Sequence, residues 1–438
     1  MANFAKPRAP RFAVDVYQNE YLPEGAREVS AIVTVTATGG AGLTRATAVA
    51  PDSAVVIMVD CSGSMDHPPT KMRGARDATA AAIDTLRDGT QFAVIAGTHE
   101  AKDVYPGGGR LAVADAATRA QAKDALRRLG AGGGTAIGSW LRLARHLFAG
   151  STAAIRHGVL LTDGRNEHET PEDLAAALAA CAGSFTCDAR GVGTDWEVKE
   201  VTGIAEGLLG HADIVADPAG LAADFTGMME RAMGKEVADV ALRLWTPAGA
   251  EVLYVKQVAP AVVDLTDRRT EAGPRAGDYP TGSWGDESRD YHVCVRVQEA
   301  GLGQEMLAAR ASLVVPEAGG ATVLSQGLVR AVWTDDLAAS TSINPQVAHY
   351  TGQAELAVVI QQGLEARKSG DFDGATAKLG RAVQLASASG NEDTAKLLAK
   401  VVDVVDAASG TVRLKAKVTD ADEMTLETRS TQTVRVKK

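Results

Sequence analysis

Asp60, Ser62 and Ser64 place three oxygen-bearing side chains at alternate positions of the stretch SAVVIMVDCSGSM, residues 53–65. Carboxylate and hydroxyl oxygens at Asp-x-Ser-x-Ser spacing suit a small hard cation. Mg²⁺ takes about six oxygens in near-octahedral geometry at roughly 2.0–2.1 Å, and it is held by few carboxylates with several waters retained. Hydroxyl ligands add little charge, so an ion they hold stays electrophilic. The element that must position this loop precedes it. Val55, Val56, Ile57, Met58 and Val59 run apolar without alternation, the pattern of a central parallel strand covered on both faces by helices. Ligands of open α/β sheets gather at the carboxyl ends of such strands, where Asp60, Ser62 and Ser64 fall.

This stretch resembles the metal-ion-dependent adhesion site (MIDAS) of von Willebrand factor A domains. That signature is Asp-x-Ser-x-Ser followed later by a Thr and an Asp. Thr135 closes a glycine-rich loop, GAGGGT, that enters a helix at 136–148; Asp163 ends a second apolar strand in VLLTDG, residues 159–164. The resemblance implies a site of Asp60, Ser62, Ser64, Thr135 and Asp163 holding Mg²⁺ or Mn²⁺, with an acidic side chain of a partner protein completing it. It also implies a cytoplasmic bacterial member of the family acting as a scaffold or accessory factor. Taken singly, Ser62-Gly63 suits an ordinary turn, Thr135 an N-cap and Asp163 a helix start. Those readings leave the shared strand-edge setting unexplained. Asp66 and His67 lie beside the motif, either shaping ligand approach or forming a solvated loop.

Chemistry at Asp60 is the alternative. An aspartate at a strand end serves as nucleophile in metal-dependent phosphotransferases and hydrolases of the haloacid-dehalogenase type. Such enzymes carry a second aspartate two residues on, where this chain has Ser62. Ser62 and Ser64 do not sit in a Gly-x-Ser-x-Gly elbow. His67, His99, His157 and His168 are scattered, and the glycines at 132–134 lack the Gly-Lys-Ser/Thr of a phosphate-binding loop. The expectation is a binding module, not an enzyme.

The 438 residues exceed one core, and 45% hydrophobic with 23% charged residues is a soluble globular composition. Aromatics at 4% leave the cores to Ala, Val and Leu. A net charge of -10 argues against general nucleic-acid binding, which needs clustered Lys and Arg. The first residues, MANFAKPRAPRFAVDVYQNEY, lack a signal peptide's apolar run, and no uninterrupted apolar stretch of about 18 residues offers a membrane span; the expected location is cytoplasmic, without membrane contact. Cys61, Cys181, Cys187 and Cys294 lack Cys-x-x-Cys spacing and read as small buried thiols.

The organisation expected is an α/β doubly wound parallel-sheet domain inserted in a β-sandwich and followed by a small helical bundle. Residues 1–50 hold strand-like runs at 11–17 and 28–38 that need partners from elsewhere. Residues 51–234 alternate strands (91–95, 156–162, 186–192, 212–215) with helices (71–86, 116–129, 171–182, 221–233), and 102–111 reads as a turn joining a short edge strand. Residues 235–335 show period-two strands supplying the rest of the sandwich, with 268–290 as a long surface loop. Residues 340–410 predict three helices, near 353–368, 373–387 and 391–408; the turn at 368–375 resembles that of a tetratricopeptide repeat, though one copy favours a plain bundle.

The remainder, 411–438, reads as a basic Thr-rich tail. Thr431 and Thr433 each have Val three residues on, Val434 and Val436, the spacing that forkhead-associated domains read beside a phosphothreonine. This predicts a Ser/Thr kinase and a forkhead-associated partner at Thr431 or Thr433.

Overall fold

The computed structural model describes residues 10–38, 52–317 and 319–436. The rest of 1–50 and the final two lysines lie outside the described residues. The chain forms two compact units, one of residues 45–238 and one assembled from both flanks, up to Thr44 and from Asp239 onward.

The inner unit has seven strands: β1 (Ser53–Asp60), β2 (Gln91–Gly97), β3 (Ala101–Tyr105), β4 (Ala112–Val113), β5 (Ile155–Thr162), β6 (Thr186–Val192) and β7 (Ala212–Val215). Its helices are α1 (Thr70–Thr85), α2 (Ala116–Leu126), α3 (Ile137–Ala149), α4 (Pro171–Cys181), α5 (Val198–Gly207) and α6 (Leu221–Met233). The sheet order is β7-β6-β5-β1-β2-β3, with β4 also pairing β2. β1, β2, β5, β6 and β7 run parallel, while β3 and β4 are antiparallel to β2. β1 is central and its residues Val55 to Val59 have no solvent exposure. Val55, Ile57 and Val59 pack with α1, α2 and α6 on one face. On the other face Trp140 of α3 fills the space that a side chain at Gly97 would need: a Cβ there would sit 2.3 Å from the indole. The edge strand lies at 101–105 and the turn only at 106–109, where Gly107, Gly108 and Gly109 all have positive φ. α5 buries Val198, Val201, Ile204 and Ala205, a stripe at helical spacing.

Among the described residues the flanking unit contains two large sheets and a two-stranded hairpin near its C-terminus. The first orders Arg11–Gln18, Glu28–Thr38, Glu287–Arg296, Glu251–Ala259 and Val263–Asp264, so the N-terminal strands find partners about 250 residues away, as in Val33 opposite Tyr291. The second orders Thr270–Gly273, Ala276–Trp284, Val237–Trp245, Glu305–Glu317, Gly320–Trp333 and Tyr21–Leu22. The sheets touch where Gly327 passes Val14 and Val16; a Cβ at Gly327 would lie 2.5 Å from the Val16 side chain. Along Glu28–Thr38, Val29, Ala31, Val33 and Val35 are buried on one face, and Ile32 on the other packs with Val258, Val347 and Tyr350. Among the described residues no helix is long and apolar enough to cross a membrane. All four cysteines are free and buried.

Three expectations need correction. The 268–290 segment is not a surface loop but a hairpin leading into the strand that pairs with Glu28–Thr38, with Tyr279 and Trp284 buried. Its polar residues are neutralised in place: Arg243 forks onto Asp278 at 2.7 and 2.8 Å. Next, the last bundle helix ends early. After Pro345–Lys368 and Phe372–Ser389, Glu392–Val401 gives way to a hairpin of Val402–Asp406 and Thr411–Leu414, because the valine-rich run at 401–405 favours a strand. Gly410 (φ +72°) lets the hairpin tip reach Gly380, where a Cβ would meet the Gly410 carbonyl at 2.3 Å.

Finally, 411–438 is not a free tail. Thr419 caps a helix, Asp420–Arg429, that buries Leu426 and Thr428. Beyond it the Val262 amide donates to the Thr431 carbonyl, the Thr433 amide to Pro260, and the Thr433 hydroxyl to Val258. A single antiparallel bridge joins Gln432 to Ala261, and Arg435 reaches the buried Asp290 at 3.0 Å. The sequence pattern shows the basic residues but not the acid that receives one of them.

Candidate metal centre

β1 delivers Asp60 fully buried to the carboxyl edge of the sheet. The backbone holds the loop that follows: Cys61 N–H donates to Gly97 O (2.7 Å), Gly63 N–H to Gly133 O (2.9 Å), and Gly132 N–H to Cys61 O (2.8 Å). Met65 is buried and anchors the short 3₁₀ turn Gly63–Asp66. The glycine-rich loop is thereby tied to the Asp-x-Ser-x-Ser loop by main-chain bonds, which no side-chain motif announces. His168 fixes Thr135, accepting its amide at Nδ1 (3.3 Å) and donating its own amide to the Thr135 carbonyl (2.9 Å).

The structure brings Asp60, Ser62, Ser64, Thr135 and Asp163 into one cluster. Asp60 Oδ1 accepts the Ser62 amide (2.8 Å), and Oδ2 accepts the Thr162 hydroxyl (2.7 Å) and the Asp163 amide (3.4 Å). The Ser62 and Ser64 hydroxyls lie 2.9 Å apart, and Ser64 donates to Asp163 Oδ1 (2.7 Å). A Cβ built on Gly164 would stand 3.1 Å from Ser64 Oγ, 3.7 Å from Thr135 Oγ1 and 3.9 Å from Ser62 Oγ, so three hydroxyl oxygens ring one point. Asp66 and His67 are exposed beside the turn.

Two residues that the sequence pattern did not single out complete the cluster. Thr162 holds Asp60, and Lys71 of α1 pairs with Asp163 Oδ2 (2.7 Å) and with Asp195 (3.0 Å). Thr162 is adjacent to a motif residue and was findable as such. No spacing rule links residue 71 to residue 163. His99 and His168, scattered in the sequence, flank the Gly133–Gly134 bend with ring centroids 6.2 Å apart.

Burial pushes the Asp60 carboxyl above the usual carboxylate range; hydrogen bonds from Ser62 and Thr162 oppose that rise, and the Asp163 charge adds to it. Burial works to lower the Lys71 ammonium, but its pairs with Asp163 and Asp195 outweigh it, and the net shift is upward. Two neighbouring buried carboxylates, Asp60 and Asp163, with one ammonium on Asp163, leave an excess of negative charge. An all-oxygen donor set with that excess fits a hard divalent cation.

Residues 53–214 match the model of the von Willebrand factor type A domain, and residues 384–430 match that of the von Willebrand factor type A C-terminal domain. The second match spans the hairpin and the helix after it, so the 410/411 boundary expected from composition cuts through one family unit. The chain is similar to the solved von Willebrand factor type A protein from Catenulispora acidiphila, at 54% identity over 99% of each chain with a TM-score of 0.93. The ArnB paralog VWA2 from Sulfolobus acidocaldarius shares the fold at 14% identity, over 96% of this chain and 98% of that one, with a TM-score of 0.61. No curated protein matches. An α/β unit with a flanking unit built from both chain ends, matched over nearly its whole length by that first structure, places this chain in the von Willebrand factor type A family.

Proposed function

We propose that the chain is a metal-dependent protein-binding module, acting inside the cell as a scaffold or accessory factor. Ser62, Ser64 and Thr135 would hold Mg²⁺ or Mn²⁺, with Asp60 and Asp163 balancing its charge. The ion supplies an electrophilic position for a carboxylate of a partner protein. The observation that carries this reading is the ring of three hydroxyl oxygens around one point, beside two buried carboxylates.

The geometry favours binding over the phosphotransferase alternative. Both Asp60 oxygens are already engaged, one by the Ser62 amide and the other by Thr162 and Asp163, which is poor placement for a nucleophile. Phosphothreonine docking at Thr431 or Thr433 is a separate reading. It requires the 431–436 segment to leave its hydrogen bonds with 258–262, so the metal edge is the preferred attachment point.

Isothermal titration of the full chain with Mg²⁺ and with Mn²⁺, alongside Asp60→Ala, tests the metal. The wild type is expected to bind one ion and the variant to lose about a hundredfold or more in affinity. Equal affinity in both would sink the assignment. Capture from native lysate in Mg²⁺ and again in chelator then tests the partner, which should be retained only with metal.

A further inference from the structure

Lys71 is the second residue of α1, a helix whose first turn carries no acidic residue. A helix N-terminus bears partial positive charge and disfavours a cation, and a buried ammonium is costly by itself. Yet Lys71 is only 6% exposed, and its ammonium lies 2.7 Å from Asp163 Oδ2 and 3.0 Å from Asp195. These two carboxylates differ in setting. Asp163 is wholly buried and reaches the hydroxyl ring through Ser64, whereas the Asp195 side chain is 68% exposed. The ammonium thus bridges a carboxylate of the metal cluster and one in solvent.

We infer, resting on the metal-binding reading above, that Lys71 is a built-in counter-cation that competes with the metal for Asp163 and shifts its pairing to Asp195 when the ion binds. While the ammonium holds Asp163, the ion meets less than the full charge of the two buried carboxylates, and a partner's carboxylate supplies what is missing. Lys71 therefore keeps the ion weakly held in the free protein and ties firm metal binding to arrival of an acidic partner.

A double-mutant cycle by isothermal titration with Mg²⁺ alone, on the full chain, tests this. Lys71→Met is expected to bind Mg²⁺ about tenfold tighter or more. Asp195→Asn is expected to bind it about threefold weaker in the wild-type background, yet leave affinity unchanged in the Lys71→Met background. An exposed aspartate is safe to substitute, so the Asp195→Asn arm survives even if Lys71→Met folds poorly. Unchanged or weaker binding by folded Lys71→Met overturns the inference, as does an Asp195→Asn effect that is the same in both backgrounds. No Mg²⁺ binding by the wild type or by Lys71→Met would overturn the metal reading itself, a result distinguishable from failure of the Lys71 role alone.

Discussion

The candidate metal cluster of the inner unit and the Asp290 cluster of the flanking unit both bury a carboxylate, and they use it differently. Asp290 is 3% exposed and saturated: Thr34 donates to Oδ1 (2.6 Å), while Tyr350 (2.5 Å) and Arg435 (3.0 Å) donate to Oδ2. Its donors come from a strand, a helix and the C-terminal segment, so the carboxylate fastens three parts of one unit together. Burial, with Asp290 beside it, pushes the Tyr350 phenol well above its ordinary value, so that hydroxyl stays a donor. At the candidate metal cluster Thr162 and two backbone amides hold Asp60, while the Ser62 and Ser64 hydroxyls bond to one another and retain lone pairs, and the Lys71 ammonium on Asp163 has a second carboxylate within reach. A buried acid with fixed donors is a fastening. A buried acid among hydroxyls is a site that accepts something further.

The comparison breaks most visibly at Asp290. Asp290→Ala should strand the buried Tyr350 hydroxyl, the half-buried Thr34 hydroxyl and a half-exposed guanidinium, costing about 3 kcal/mol in a urea titration and leaving Mg²⁺ affinity unchanged. A midpoint that barely moves would show that the cluster fastens nothing.

Acid should act on the same unit. Burial, with help from Lys256, holds His292 down at about 4 against an ordinary 6.5. The unfolded chain therefore takes up a proton between those values that the folded chain refuses. The stability linked to His292 is fully present above pH 6.5 and is lost as pH falls toward 4, by up to about 3 kcal/mol. Urea midpoints at pH 7 and pH 4.5 should converge in His292→Gln relative to wild type; equal acid sensitivity in both proteins would remove His292 as the cause.

Gly164→Ala probes the other side of the comparison. The added methyl enters the hydroxyl ring 3.1 Å from Ser64 Oγ, so Mg²⁺ affinity should fall about tenfold while thermal stability changes by less than about 1 kcal/mol. Undiminished Mg²⁺ binding would put the ion elsewhere. The smallest effect is expected of Thr433→Val, which removes one hydroxyl bond to the Val258 carbonyl and should cost about 1 kcal/mol or less by thermal melt. A larger loss would mean that the C-terminal segment fastens the unit more strongly than its hydrogen bonds indicate.

Legibility followed the range of the interactions involved. β6, β7 and α6 were readable to the residue, because a buried parallel strand and an amphipathic helix each write their period into consecutive positions. The N-terminal strands were legible as strands without partners, since half a sandwich cannot bury its own face. The hairpin at 270–284 was not legible: Gly, Pro, Asp and Arg there look solvated until Arg243, 35 residues before Asp278, is set beside it. The strand at 402–406 was hidden by the helix preceding it, and its hairpin tip packs against Gly380 through Gly410.

By itself, then, the sequence determined which five oxygen-bearing residues meet at one sheet edge and the strand and loop settings that deliver them. Local spacing at 60–64 and a shared family pattern at 135 and 163 suffice, because strand ends project their side chains to one sheet edge whatever surrounds them. Tertiary structure decided which buried carboxylates are fastenings and which belong to a site. That distinction rests on partners far apart in the chain: Thr34, Tyr350 and Arg435 at Asp290, and Lys71 and Asp195 at the metal edge. A side chain's charge is written in its own residue, but its neutralisation is set by whatever folding brings within about 3 Å.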